Sequence, residues 1–186
     1  MTSHLKLGVI GLFSSGKDYF SDYLTAHYPA DHISTSQALR DYTQSHGLGN
    51  LDRDNLAIIA NQTRKQEGND YFARVAYGLL DPKKEIWLVS GMRTIEEIDY
   101  LKAQGFKIVL INAKPEVRYQ RALRRGKVGE DISFSYFKEQ EDTELYSRLS
   151  TFSLARVLES YDYCIDNNGE LEQFEKSIEA LIGRLD

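Results

Sequence analysis

The stretch GLFSSGKDYF, residues 11–20, decides the fold. Gly11, Gly16 and Lys17 have the spacing G-x-x-x-x-G-K of a phosphate-binding loop (P-loop). Such a loop wraps a phosphate with its amide N–H groups, and glycine permits backbone angles and close approaches that a Cβ would block. The alternative is a chance pair of glycines at a strand end. The predicted nucleotide-binding residues of this stretch are Gly11, Ser14, Ser15, Gly16, Lys17, Asp18 and Tyr19.

The context of the loop favours the phosphate-binding interpretation. An apolar run, residues 5–11, precedes it, and a segment with helical periodicity follows it. Lys17 and a helix N-terminus would therefore face the same phosphates. Three further runs are short and nearly continuously apolar, as strands covered on both faces are, and a weaker one is a fifth candidate. These runs are residues 85–91, 106–112 and 161–167, and the weaker one is 31–34.

The strands alternate with helical segments, which predicts an α/β domain with a parallel sheet. Ser34 and Thr94 are expected to cap helices, with Gln37 and Glu97 three residues on to complete each capping box. Pro115 is expected in a first helical turn. The last helix, about 170–185, is predicted to bury one face, formed by Leu171, Phe174, Ile178, Leu181 and Ile182.

Composition limits the classes of protein that remain. The 186 residues are 41% hydrophobic and 27% charged, values typical of a single soluble globular domain. No apolar run approaches the roughly 20 residues that span a bilayer, and the N-terminus resembles no signal peptide. The net charge of −5 argues against nucleic-acid binding, and the single cysteine, Cys164, is predicted to lie in the core. We expect a cytoplasmic monomer or homodimer that binds neither membranes nor nucleic acids.

Arginines follow the predicted strands at positions that suit a second phosphate. Arg93 comes just past the carboxyl end of the strand at 85–91, where open α/β sheets bind ligands. Arginine grips a phosphate with two parallel hydrogen bonds, whereas any one arginine can also be a solvated surface charge. The predicted acceptor-binding residues are Arg40, Arg64, Arg74 and Arg93.

A second group of arginines lies on one predicted helix face. Arg118, Arg121 and Arg125 are spaced i, i+3 and i+7, and a polar loop and an acidic helix follow them. One interpretation is a lid whose arginines close over a transferring phosphate and exclude water. The other is a solvated charged helix paired with the acidic one.

Several motifs resemble those of small P-loop kinases. ISTSQALR (33–40) resembles the ISTGD-x-LR stretch of adenylate kinases, SGMRT (90–94) resembles their DGFPRT, and Arg121 and Arg125 resemble their lid-flanking arginines. The C-terminal segment 161–182 is similar to the ending of dephospho-CoA kinases. GKDYF, EIWLVS and GNDYFAR resemble stretches of phosphomevalonate kinase and phage-type deoxynucleoside monophosphate kinases. The chain is thereby identified as a member of the nucleoside monophosphate kinase-like P-loop superfamily, and its pattern is most similar to small kinases labelled dephospho-CoA kinase-like.

The resemblance implies a three-layer α/β/α P-loop kinase fold with a five-stranded parallel sheet of order 2-3-1-4-5. It implies one domain over residues 1–186, with three functional parts. These are a core (1–34, 81–123 and 136–186), a helical acceptor-binding region (about 35–80) and a lid (about 124–135).

The resemblance also implies roles, with ATP as phosphoryl donor and Mg²⁺ as cofactor. Lys17 would neutralise the phosphates, and transfer would be direct and in line, without a covalent enzyme intermediate. The remaining implied roles are acceptor-phosphate binding by Arg40 and Arg93, clamping of the transferring group by Arg121 and Arg125, and proximity to the donor adenine for Asn168 and Gly169.

Three functions remain open at this point. The arginines favour a phosphorylated acceptor, most simply a (deoxy)nucleoside monophosphate. Phosphorylation of a ribose hydroxyl, as in dephospho-CoA kinases, would need a carboxylate base, for which Asp41 is the candidate. A nucleotide-binding sensor without turnover is the third.

Two departures from the family pattern concern the metal. Asp18 and Tyr19 follow the P-loop lysine where Ser or Thr is common, and Ser90 replaces the acid at a strand end. We hypothesise an exchange, with Asp18 supplying the carboxylate and Ser90 the hydroxyl, since Mg²⁺ needs only one or two carboxylates. The alternative is that Asp18 only stabilises the helix start.

Overall fold

The computed structural model describes residues 4–126, 132–146 and 154–185. Its strands are β1 (Leu5–Ile10), β2 (Ala30–Ser34), β3 (Ile86–Ser90), β4 (Lys107–Asn112) and β5 (Tyr163–Asp166). The helices that precede β4 are α1 (Lys17–His27), α2 (Thr35–Ser45), α3 (Arg53–Glu67), α4 (Tyr71–Leu79) and α5 (Ile95–Ala103). After β4 come α6 (Pro115–Arg124), α7 (Phe134–Tyr146), α8 (Leu154–Leu158) and α9 (Leu171–Leu185).

The five strands form one parallel sheet in the order β2-β3-β1-β4-β5, which confirms the predicted fold class and strand order. Val9 of β1 stands opposite Ser90 of β3 on one side and Val109 of β4 on the other. Because all strands are parallel, their carboxyl ends lie at one edge of the sheet. The loops that follow β1, β2, β3 and β5 therefore begin at the same edge.

Alternate strand residues feed two cores on opposite faces of the sheet. On one face Leu7 and Val9 pack with Phe20 of α1 and Ile178 of α9. On the other face lie Ile10, Val89 and Ile108, together with residues of α4, α5 and α8. The two covered faces make the expected three-layer domain.

The capping predicted at the helix starts is confirmed in full at α5 and only in part at α2. Thr94 and Glu97 form a complete capping box at α5, as predicted. Ser34 accepts a hydrogen bond from the Gln37 backbone at the start of α2, but the Gln37 side chain donates to Asp41 and does not reach back. Pro115 opens α6 as expected.

Two burial predictions were wrong. Cys164 is exposed, because β5 is an edge strand and its next residue, Ile165, takes the place in the α9-covered core. Leu171 is 54% exposed at the first position of α9, whereas the other four residues of the predicted face are buried.

The predicted lid can be followed only in part, since residues 127–131 lie outside the described residues. The helices on either side of it are joined by an ion pair between Arg118 of α6, 2% exposed, and Glu141 of α7. Arg118 also donates from Nε to the Ala113 carbonyl at 2.8 Å. Arg118 thus fastens α6 to α7. Among the described helices, none combines the length and the apolar character that crossing a bilayer requires.

Candidate active site

The glycine loop joins β1 to α1 and turns through two left-handed residues. Ser14 has φ 60° and Gly16 has φ 108°. The Ser15 N–H donates to the Leu12 carbonyl at 3.1 Å, which closes the turn. A Cβ on Gly11 would lie 2.5 Å from the Ser15 Oγ and 2.6 Å from the Ile111 carbonyl oxygen. Gly16 is thus required by its backbone angle and Gly11 by close approach, the two reasons for which the motif uses glycine.

The loop presents hydrogen-bonding groups suited to an anion. The hydroxyls of Ser14 and Ser15 are buried and meet no partner among the described residues. Buried polar groups nearly always find a partner, so these two indicate a ligand position. Helix α1 begins at Lys17 without a side-chain cap, which leaves N–H groups of its first turn available to a phosphate.

Asp18 lies beside the P-loop lysine. Its Oδ1 is 3.8 Å from the Lys17 Nζ, and its side chain is 62% exposed. The carboxylate therefore lies on the lysine's side of the helix start, as the exchange hypothesis requires.

Ser90 ends β3 and is 5% exposed. Its Oγ lies 2.8 Å from Nε2 of His32 on the neighbouring strand β2. Burial lowers the pKa of His32, an effect opposed by the nearby carboxylates of Asp22, Asp18 and Asp31. His32 therefore touches one candidate metal ligand, Ser90, and lies within electrostatic reach of the other, Asp18.

The sequence analysis did not select His32, because its contact with Ser90 joins two strands that are distant in sequence. The sheet register supplies the missing signal: His32 stands opposite Leu88, and Ser90 lies two residues further on the same face of β3.

Asp18 and Ser90 fit Mg²⁺ chemically, since both offer hard oxygen atoms. Within the described ranges there is no group of three or more His, Cys, Asp or Glu residues that could hold a metal. A cation bound here would therefore take most of its ligands from phosphates and water, which is how Mg²⁺ binds beside nucleotides.

Arg121 contacts the P-loop. Its Nη1 is 3.4 Å from the Ser15 carbonyl oxygen and its Nη2 is 3.1 Å from the Asn167 Oδ1. Asn167 donates from Nδ2 to the same Ser15 carbonyl at 2.8 Å. Burial, and to a lesser degree the neighbouring Arg125 and Arg124, lowers the pKa of Arg121. The structure brings Arg121 to the loop, and it adds Asn167, which sequence reasoning did not select.

The other residues predicted to contact the phosphoryl donor are Arg125, Asn168 and Gly169. Arg125 is exposed at the end of α6. Asn168 accepts from the Lys114 N–H at 2.7 Å and precedes the exposed Gly169 in the loop between β5 and α9. Because the preceding residue, Asn167, touches Ser15, this loop adjoins the P-loop, and the adenine role of Asn168 and Gly169 stays a prediction.

The Tyr19 side chain contacts helix α9. Its hydroxyl donates to Glu175 of α9 and its ring packs near Phe174, with centroids 6.0 Å apart. The hydrogen bond to Glu175, with burial, raises the pKa of Tyr19 to about 12. Nucleotide binding by Tyr19 stays a prediction.

The four acceptor-side arginines separate into two pairs. Arg40 on α2 and Arg93 after β3 are exposed. Arg64 is buried and pairs with Glu97 at 3.1 Å, while Arg74 pairs with Asp70 at 3.3 Å and donates to the Glu67 carbonyl. Glu97 is wholly buried and also accepts from the Arg93 N–H at 2.6 Å. Arg64, Arg74 and the Arg93 backbone thus contact other residues of the chain, and acceptor binding by all four arginines stays a prediction.

Solved structures share this architecture. The shikimate kinase of Bacteroides thetaiotaomicron superposes with a TM-score of 0.64 at 12% identity, covering 98% of this chain and 99% of that one. TT1252 from Thermus thermophilus gives 0.63 at 15% identity, covering 99% and 100%. A gluconokinase from Sinorhizobium meliloti gives 0.51 at 16% identity, covering 98% and 95%. The strand order, the helices on both faces of the sheet and the glycine loop are those of the P-loop kinase fold.

Proteins with a similar sequence show the family to which the chain belongs. A UPF0200 protein from Hyperthermus butylicus is 30% identical over 134 residues, covering 71% of this chain and 69% of that protein. A UPF0200 protein from Thermococcus gammatolerans is 24% identical over 185 residues, covering 95% and 93%. No family model matches the chain. The chain belongs to the UPF0200 family.

Proposed function

We propose that the protein is an ATP-dependent small-molecule kinase that transfers the γ-phosphoryl group to a phosphorylated acceptor, most simply a (deoxy)nucleoside monophosphate. The observation that carries the proposal is the loop from Gly11 to Lys17. Its left-handed residues, its two unpartnered buried hydroxyls and the uncapped start of α1 together suit the phosphates of a nucleotide.

The acceptor half of the proposal rests on position and charge. Arg93 follows β3 at the sheet edge where the P-loop also begins, and Arg40 lies on α2, directly after β2. Both are exposed, unlike Arg64. Guanidinium groups at this edge would hold an acceptor phosphate against the donor, as ligand binding at carboxyl strand ends requires.

In this mechanism the protein positions two phosphates and stabilises charge. Lys17 and the amide groups of the loop bind the donor phosphates, and Arg125 at the end of α6 would reach the transferring group from the lid side. Mg²⁺, when bound, would neutralise charge on the donor phosphates, held by Asp18 and Ser90. Enclosure by the lid would exclude water, so that the acceptor and not water is phosphorylated.

Two alternatives remain distinguishable. A ribose-hydroxyl acceptor, as for dephospho-CoA kinases, would need Asp41 as a base, and this carboxylate accepts a hydrogen bond from Gln37 at 2.7 Å on an exposed helix face. A sensor without turnover would need only the loop.

A substrate panel separates these functions. Purified protein is incubated with ATP, Mg²⁺ and, in turn, each nucleoside monophosphate, each deoxynucleoside monophosphate and dephospho-CoA, and ADP formation is measured. The proposal expects ADP with a monophosphate and a loss of at least about tenfold in kcat/KM in Arg93→Ala and Arg40→Ala. Turnover with dephospho-CoA alone would favour the hydroxyl acceptor, and tight ATP binding without turnover would favour the sensor.

A further inference from the structure

Asn167 is fixed on three sides. It is 6% exposed, and its backbone N–H donates to the Asn112 carbonyl of β4 at 2.7 Å. Its side chain donates to the Ser15 carbonyl at 2.8 Å and accepts from Arg121 at 3.1 Å. A residue 152 positions from Ser15 is thereby fixed against the P-loop.

The hydrogen bond to Ser15 determines where a neighbouring N–H points. The Ser15 C=O and the Gly16 N–H belong to one planar trans peptide, so they point in opposite directions. Asn167 and Arg121 hold the Ser15 oxygen on their own side of the peptide. The Gly16 N–H therefore points away from Asn167 and Arg121, and it is an N–H of the kind that the motif uses to bind phosphates.

Gly16 and Asn167 also fit each other sterically. A Cβ on Gly16 would lie 2.3 Å from the Asn167 Nδ2, far inside contact distance. The second glycine of the motif is therefore required twice, by its φ of 108° and by the amide packed against it.

Asparagine suits this position because one amide carries both a donor and an acceptor. The donor meets the Ser15 carbonyl and the acceptor meets the Arg121 guanidinium. An aspartate would keep the contact with Arg121 but would turn a second oxygen towards the Ser15 oxygen. The peptide would then rotate away from its present orientation.

We propose that Asn167 is a positioning residue of the donor-phosphate site, which orients the Ser15–Gly16 peptide so that the Gly16 N–H faces the phosphates. This inference rests on the proposed function in one respect, that the loop binds a nucleotide. Asn167 itself touches no substrate; it acts through Ser15 and Gly16.

The test uses the full chain, Asn167→Asp and a matched control, Asn61→Asp, which makes the same chemical change on the exposed surface of α3. Dissociation constants of ATP and inorganic tripolyphosphate are measured by displacement of a fluorescent ADP analogue, without Mg²⁺. We expect Asn167→Asp to bind both at least about tenfold more weakly and the control to bind both as the wild type does.

A second measurement reports orientation and not merely stability. In protein labelled with ¹⁵N-glycine, the Gly16 amide resonance should shift strongly on addition of tripolyphosphate in the wild type and weakly in Asn167→Asp. If Asn167→Asp does not fold, Asn167→Ala, which removes both side-chain bonds without adding charge, is measured in the same way.

The outcomes separate the two proposals. Equal affinities in wild type and variant, or an unchanged Gly16 response, would overturn the role of Asn167 and leave the kinase proposal intact. A wild type that binds neither ATP nor tripolyphosphate would overturn both.

Discussion

The Nε2 atom of His32 lies 2.8 Å from the Oγ atom of Ser90, across neighbouring parallel strands at the edge of the sheet where the P-loop begins. Burial of His32 favours its neutral form. A neutral imidazole nitrogen can accept a hydrogen bond from the Ser90 hydroxyl, which would leave the lone pairs of the serine oxygen available to a cation. Ser90, which stands where the kinases that this sequence resembles have an acid, is thus hydrogen-bonded to His32.

The lowered pKa of His32 predicts a dependence of stability on pH. Because the unfolded chain, with a histidine pKa of about 6.5, binds the proton more readily than the folded chain, the free energy of unfolding should fall as pH drops below that value. The fall should end once pH is below the folded pKa, where both states are protonated. Urea unfolding of the wild type and His32→Gln across this range checks it.

His32→Gln should flatten this part of the profile, because it removes the titrating group. His46→Gln, on the exposed end of α2, is the control and should keep it. An unchanged slope in His32→Gln would show that other groups cause the dependence.

Asp18→Asn should lower the apparent affinity for Mg²⁺ in turnover. The variant keeps the shape of the side chain but loses the charge, so about tenfold more Mg²⁺ or greater should be needed for half-maximal activity. Asp22→Asn, one turn further on the exposed side of α1, is the matched control. If Asp18→Asn has the wild-type Mg²⁺ dependence and only a lower melting temperature, Asp18 serves the helix start and not the metal.

Gly16→Ala should abolish nucleotide binding. The alanine Cβ would have to occupy the space of the Asn167 amide at a φ of 108°, at a cost of about 1–3 kcal/mol in stability. Gly183→Ala in α9 is the control, since its Cβ would meet nothing within 4 Å, and it should raise stability by about 0.5–1 kcal/mol. Calorimetric ATP titration and thermal unfolding of both variants measure these effects. Retention of wild-type ATP affinity in Gly16→Ala would contradict the geometry of the loop.

Arg64→Ala should destabilise the protein by about 3–5 kcal/mol, because it leaves the buried Glu97 carboxylate without its cationic partner. Arg74→Ala removes a half-exposed pair and should cost less than about 1 kcal/mol. Denaturant unfolding compares the two. A small loss in Arg64→Ala, accompanied by a raised KM for the acceptor, would instead assign Arg64 to acceptor binding.

The features that could be predicted from sequence are those whose causes are local. The capping box of Thr94 and Glu97 spans four residues, and the P-loop spacing of Gly11 and Gly16 spans six. The alternation of apolar runs and helical segments gave the parallel sheet, and the family resemblance gave its strand order. Apart from the strand order, each of these features is visible within one helix or strand or its immediate neighbours in the sequence.

The features that could not be predicted depend on which distant residues meet. Asn167 reaches Ser15 over 152 positions and His32 reaches Ser90 over 58, so neither contact leaves a local pattern. The ion pair of Arg64 could not be predicted, because its partner, Glu97, is supplied by another helix. Cys164 is exposed because alternation along the edge strand gives the buried side to Ile165.

The measurement that tests the central claim most directly is ³¹P NMR of the protein with ATP, Mg²⁺ and a nucleoside monophosphate that gives turnover in the panel. We expect the ATP signals to decline while those of ADP and of the acceptor's diphosphate rise in equal amounts, and we expect Lys17→Ala to abolish the change. ATP that stays bound and intact with every acceptor, or a product that carries the new phosphate as a monoester on a hydroxyl group, would contradict it.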